Sequence, residues 1–203
     1  MKKGCRQIDI LLIIAVVILG AGYYGASSAA LKTRDIWYED KLKAAELMEK
    51  ALYTLRREKE RRGLVSDLHT DINDTGIIGM EWSPITTTLG ALEAKRTSAN
   101  PDFAAVVVDM LKEAGLEEGD FVAVNFSGSF PALNVAVISA IEALGLDSAI
   151  ISSAGASAWG ANGPGFTYPD MEQALYEAGV FKARSEAVSL GGADDLGKEM
   201  DEA

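Results

Sequence analysis

From residue 121 onward the chain alternates continuous apolar runs with amphipathic stretches, and each junction is marked by Gly, Ser or Pro: "FVAVNFSGSFPALNVAVISAIEALGLDSAIISSAGAS", residues 121–157. A short run that is apolar throughout suits a strand buried in a parallel sheet, and parallel neighbours need a crossover long enough for a helix. The spacing predicts strands at 121–126 and 148–153 with a helix at 131–144 between them, stopped by Gly145. Thr167-Tyr168-Pro169-Asp170 has the pattern of a capping box opening a helix that ends at Gly179, and residues 183–190 read as a further strand. The expected fold class is therefore α/β, with a three-layer, mostly parallel, Rossmann-like sheet covered on both faces.

The upstream part is read by the same rules. "IIGMEW", residues 77–82, reads as a short buried strand, and residues 86–96 as a short helix despite three consecutive threonines. Asn100-Pro101-Asp102 is a start signal for a helix at 101–114, with Phe103, Val106, Val107, Met110 and Leu111 on one face. Residues 35–62 carry the strongest helical periodicity, with Leu42, Ala45, Met48, Leu52 and Leu55 at three- and four-residue steps. Arg56, Arg57, Lys59, Arg61 and Arg62 crowd its end, where the helix dipole favours them, and Gly63 stops it. That basic cluster reads as a solvated helix end, with a patch for an anionic partner or the membrane surface as the alternative.

Residues 8–19, "IDILLIIAVVIL", followed by "GAGYYGASSAA", make a stretch with Asp9 as the only charge between Arg6 and Lys32. About 20 apolar residues cross a bilayer as a helix. Lys2, Lys3 and Arg6 precede the stretch and predict a cytoplasmic N-terminus with the rest of the chain outside. An uncleaved single-pass anchor and a cleaved signal peptide both fit. Cys5 is the only cysteine, so no intramolecular disulfide can form. The organisation expected is a transmembrane anchor or signal peptide at 1–31, an amphipathic connector at 32–63 and an extracytoplasmic α/β domain at 64–203. The tail, 191–203, reads as an unfinished helix, which suits a fragment of a longer protein or a frayed end.

Without residues 1–30 the chain has 16 Lys and Arg against 29 Asp and Glu, a balance of −13. Such a domain has no general attraction for nucleic acid or anionic lipid and repels an anionic polymer at long range. Nothing in the sequence calls for a cofactor. Cys/His metal ligation is excluded by count, and Glu81 with Asp194 and Asp195 is the only acidic grouping that could offer oxygen ligands.

In an open α/β sheet, ligands bind beyond the carboxyl ends of the strands. The residues expected there are Thr86 and Thr87; Ser127, Gly128 and Ser129; Ser152, Ser153, Gly155 and Ser157; and Gly191, Gly192, Asp194 and Asp195. Ser129 is placed to cap the following helix, whose free N–H groups suit a carboxylate. Lys95 and Arg96 form a basic pair that could anchor one. Ser127 and Ser129 are the candidate nucleophiles, but the nucleophile-elbow pattern is absent and the only histidine, His69, sits in a polar loop. Lys95 is a candidate partner for a serine, although spacing does not indicate one. "GANGPG", residues 160–165, is a candidate lid, pinned by Trp159, Phe166 and Tyr168.

"SPITTTLG", "AKRTSANPDFAA", "NFSGSFPALN" and "SAGASAWGAN" together resemble the poly-gamma-glutamate system protein family, over about residues 76–192. Its members are bacterial membrane-associated proteins grouped with the machinery that makes and exports poly-γ-glutamate. The resemblance implies a membrane-anchored accessory component that handles this anionic polymer or assembles with other membrane subunits of the system. It implies no catalytic residues. A serine-dependent hydrolase or transferase acting on γ-glutamyl amides is the alternative function.

Overall fold

The computed structural model describes residues 2–29, 34–198 and 200. It divides into two units, Met1–Ile36 and Trp37–Ala203. The first holds α1 (Lys2–Ala29). Within it, Ile10–Ala29 is 20 residues long, apolar, and buries nothing against protein, so by length and composition it can cross a membrane.

The second unit is a mixed α/β body. Its helices are α2 (Tyr38–Arg61), α3 (Leu92–Ser98), α4 (Asp102–Glu113), α5 (Pro131–Leu144) and α6 (Tyr168–Glu177). Strands β2 (Phe121–Phe126), β3 (Asp147–Ser153) and β7 (Ala187–Ser189) form one parallel sheet in the order β2-β3-β7. Phe121 pairs with Asp147 and Phe126 with Ser152 in an unbroken register, and α5 is the crossover between the two strands. A second parallel pair joins β1 (Thr86–Thr88) to β4 (Ala156–Ser157). β5 (Asn162–Gly163) and β6 (Phe166–Thr167) form a small antiparallel hairpin.

Core formation follows from side-chain size and pattern. Met48, Ala51, Leu52 and Leu55 of α2 pack into one cluster with Val135, Ile138 and Ile141 of α5, Val108 of α4, and Met171 and Leu175 of α6. α2, which lies within the stretch read from sequence as a connector, thus supplies one wall of the core. α5 buries 11 of its 14 residues, which its nearly continuous apolar sequence requires. It stops at Gly145, whose φ of 68° is the left-handed conformation glycine adopts without strain. Thr167 and Asp170 make the expected capping box on α6.

Several elements differ from the sequence reading. α4 packs the expected Phe103, Val107 and Leu111 against the core but leaves Val106 and Met110 exposed, with Ala104 and Val108 in the fully buried positions. Residues 77–82 form no strand. Gly79 N–H donates to the Trp159 carbonyl and Trp159 N–H to the Met80 carbonyl. The Asn162 side-chain amide then satisfies both the N–H and the carbonyl of Met80, at 2.8 Å each, and so takes the place of a strand neighbour. The threonines expected to start a helix form β1, as β-branched residues favour, and the helix begins only at Leu92. β7 is shorter than 183–190 because carboxylates take the backbone donors before it: Glu142 accepts the N–H groups of Lys182 and Ala183, and Glu172 that of Ser185.

The sheet expected to be covered on both faces is covered on one. Val122, Val124, Phe126 and Ile150 pack toward the helices, while Phe121, at 64% exposed, and Ile151, at 50%, lie on a solvent-facing side.

Candidate functional site

Parallel β2, β3 and β7 end at a common rim. A groove of about 410 Å³ there is lined by Asn125, Ser127, Ile151, Ser153, Ser189, Gly191, Gly192 and Asp195. Ser153 Oγ donates weakly to the Phe126 carbonyl at 3.4 Å, and Asn134 of α5 fixes the Ser127 carbonyl at 2.9 Å. Among the described residues no Lys or Arg lines the groove, and Asp195 brings a carboxylate whose Oδ1 accepts the Gly191 N–H.

The Ser127-Gly128-Ser129 turn joins this groove to a buried polar node behind it. Ser127 is exposed and its Oγ donates to Ser129 Oγ at 3.1 Å. Ser129 does not cap α5. Phe130 is the N-cap residue, without a side-chain bond, and Ser129 Oγ instead accepts the Ser157 N–H at 3.0 Å. Gly128 is required by crowding, since a Cβ there would stand 2.9 Å from the Gly155 carbonyl. The loops after β1, β2 and β3 thus meet: Thr86 pairs with Ala156, and Thr87 reaches Gly155.

Lys95, on α3, enters the same node. It is only 2% exposed, and its Nζ donates to the Ser129 carbonyl at 2.5 Å and to Ser157 Oγ at 2.8 Å. Nζ also lies 3.4 Å from the centre of the Phe130 ring. Among the described residues Lys95 has no ion pair. Burial pushes its amine down to about 8, because the charged form is poorly solvated there.

Other predicted residues are engaged elsewhere. Arg96 donates from Nε to the Thr70 carbonyl at 2.7 Å and from Nη2 to that of His69 at 2.6 Å, so it pins a loop and does not face the groove. Thr86 is fully buried, and its hydroxyl accepts from Ser83 N–H and Asn162 Nδ2. Glu81 lines a different cavity from Asp195, and no grouping of three or more metal-ligating side chains occurs among the described residues. Residues 160–165 form no free lid, since β5 pairs with β6 and Asn162 is fully buried. The basic end of α2 is spent locally: Arg61 and Arg62 pair with Glu58, and Arg56 with Asp74.

Two features go further than the sequence reading, which placed Ser157 only among the strand-end residues and Trp159 only beside residues 160–165. Ser157 is one of several serines at a strand end, and its contact with Lys95 spans 62 residues of chain. Trp159 has a φ of 64°, a strained conformation for a bulky residue, and lines a mainly apolar cavity of about 480 Å³ with Ile78, Met80, Pro164, Phe166 and Met171. Comparison of the chain with known protein families, with curated proteins and with solved structures finds no match.

Proposed function

We propose that this protein is a membrane-anchored component of a poly-γ-glutamate synthesis or export system. In this reading α1 is a single-pass anchor with a cytoplasmic N-terminus, the α/β body is extracytoplasmic, and other membrane subunits of the system are its partners. The groove at the ends of β2, β3 and β7 handles a γ-glutamyl chain. A Rossmann-like arrangement with one open sheet face belongs to the same reading; the parallel order β2-β3-β7 and the α5 crossover support it.

The observation that carries the proposal is the convergence of three hydroxyls, Ser127, Ser153 and Ser189, with Gly191 and Gly192 along one groove at the strand ends. These are neutral hydrogen-bonding groups matched to the amides and carboxylates of such a chain. The motifs of residues 76–192 and an apolar helix able to anchor the chain point the same way. The absent cation, the Asp195 carboxylate and the balance of −13 favour weak, transient contact, as passage of a polymer demands.

The test uses the full chain in detergent micelles with oligo-γ-glutamate. Measurable binding, weakened about tenfold by Ser127→Ala with Ser153→Ala, is expected, the loss of roughly 1.4 kcal/mol of hydrogen bonding. No binding, or binding indifferent to both substitutions, overturns the proposal. In a producing host, deletion is expected to change polymer amount, chain length or cell attachment.

A further inference from the structure

We infer that Ser157 and Lys95 form a serine–lysine acyl-transfer pair, in which Ser157 Oγ is the nucleophile and Lys95 Nζ the general base. The pair stands on geometry. Nζ and Oγ are 2.8 Å apart, within the reach a base needs to take a hydroxyl proton. The second Nζ bond, to the Ser129 carbonyl, and the Phe130 ring beneath it fix the amine. Buried charges are ordinarily paired, and among the described residues no carboxylate pairs with Lys95 to hold it in its protonated form. A neutral amine in a dry site is what activates serine where no histidine is available.

Access is the second requirement. Ser157 is 4% exposed, so the reacting atom must be uncovered. Part of its cover is the irregular segment at Leu89 and Gly90. A Cβ on Gly90 would stand 2.7 Å from the Ala158 carbonyl, 3.1 Å from Ser157 Oγ and 3.4 Å from Lys95 Cε, so the bare Gly90 backbone packs directly on the pair. Leu89 is 83% exposed, and neither Leu89 nor Gly90 takes part in a described hydrogen bond. Such a segment opens locally at low cost.

The chemistry balances without a cofactor. Ser157 Oγ bonds to the acyl carbon of an ester or amide, and its proton passes to neutral Lys95 Nζ. The adduct collapses as the bond to the leaving group breaks, and the ammonium returns the proton to that group. Water then attacks the acyl-serine, giving its proton to Lys95, and Ser157 takes it back as the acid leaves. The γ-glutamyl amide as natural substrate rests on the function proposed above; the pair itself does not.

The experiment treats the full chain in detergent micelles with an alkyl fluorophosphonate and locates the adduct by peptide mass mapping. Labelling of Ser157 is expected, at a rate that rises with pH through about 8, where the amine loses its proton. Lys95→Met should slow it at least about 100-fold, Ser157→Ala should abolish it, and Gly90→Ala should hinder it. No adduct on folded protein, an adduct on Ser127 or Ser129 instead, or a pH-independent rate overturns the inference. If Lys95→Met does not fold, the wild-type pH profile and Ser157→Ala decide. Ser157 labelling without oligo-γ-glutamate binding removes the proposed substrate and leaves the pair. Binding without labelling does the reverse.

Discussion

A lysine amine enclosed without a carboxylate leaves a signature in stability as well as in reactivity. The unfolded chain holds the Lys95 proton up to about 10.5 and the folded chain only to about 8. Between those values the unfolded state binds more protons, so stability rises with pH across that window. Below about 8 the burial cost is present in full, on the order of 3 kcal/mol. Relative to Lys95→Met, the wild type should therefore gain about that much between pH 7 and pH 10.5 in denaturant unfolding. A constant difference between the two across that range would show that the amine titrates as in water. Little of this was legible in sequence. Ser127, Ser153 and the glycines of residues 191–192 were found because strand ends gather at one edge. The partnership of Lys95 with Ser157 was not, because it depends on how β4 is seated beside β1, and no local pattern encodes that.

Among the elements, α2 decides whether the body holds together. Leu55 is fully buried where α2 meets the other helices, so Leu55→Ala should cost roughly 2–5 kcal/mol, read as a lowered denaturation midpoint. The end of the same helix responds to acid. Glu58 is pulled from 4.5 to about 2, chiefly by its hydrogen bond to Arg61 and also by that to Arg62. A lowered carboxyl contributes stability above 4.5 that is lost as pH falls through about 2. Glu58→Gln should be about 0.5–1 kcal/mol less stable than wild type at neutral pH, a difference that closes toward pH 2 in acid titrations. Helices with strong local signals were legible: α5 and the capping box of α6 depend on nearby residues alone. Residues 77–82 were misread because apolar content marks burial and not pairing, and their partner is an asparagine side chain. On α4, Phe103, Val107 and Leu111 face the core as the periodicity indicated, while Val106 and Met110 were misread, since Ala104 and Val108 take the fully buried positions.

For the whole molecule, charge and anchorage act together. Residues 31–203, with a balance of −13, repel an anionic polymer, and salt screens that repulsion. Binding of oligo-γ-glutamate should accordingly strengthen as ionic strength rises, opposite to the usual trend for a polyanion and its receptor. Calorimetry from low salt to about 0.5 M, where the screening length falls to a few ångströms, reads this directly. Affinity that falls with salt would reveal a basic docking path that the groove does not contain. The stitch between Met80 and Asn162 has a chemical consequence of its own. Asn162 precedes Gly163, the pairing in which a backbone nitrogen most readily attacks the side-chain amide and releases ammonia. While that amide grips Met80 and Thr86 it is held from reaction. Each time the seam parts it is released, and water opening the resulting cyclic imide leaves aspartate or isoaspartate, whose anionic oxygen would stand against the Met80 carbonyl, so the parting becomes permanent. The protein thus ages at a rate set by its own breathing, and the slow appearance of aspartate at this position is a clock for it.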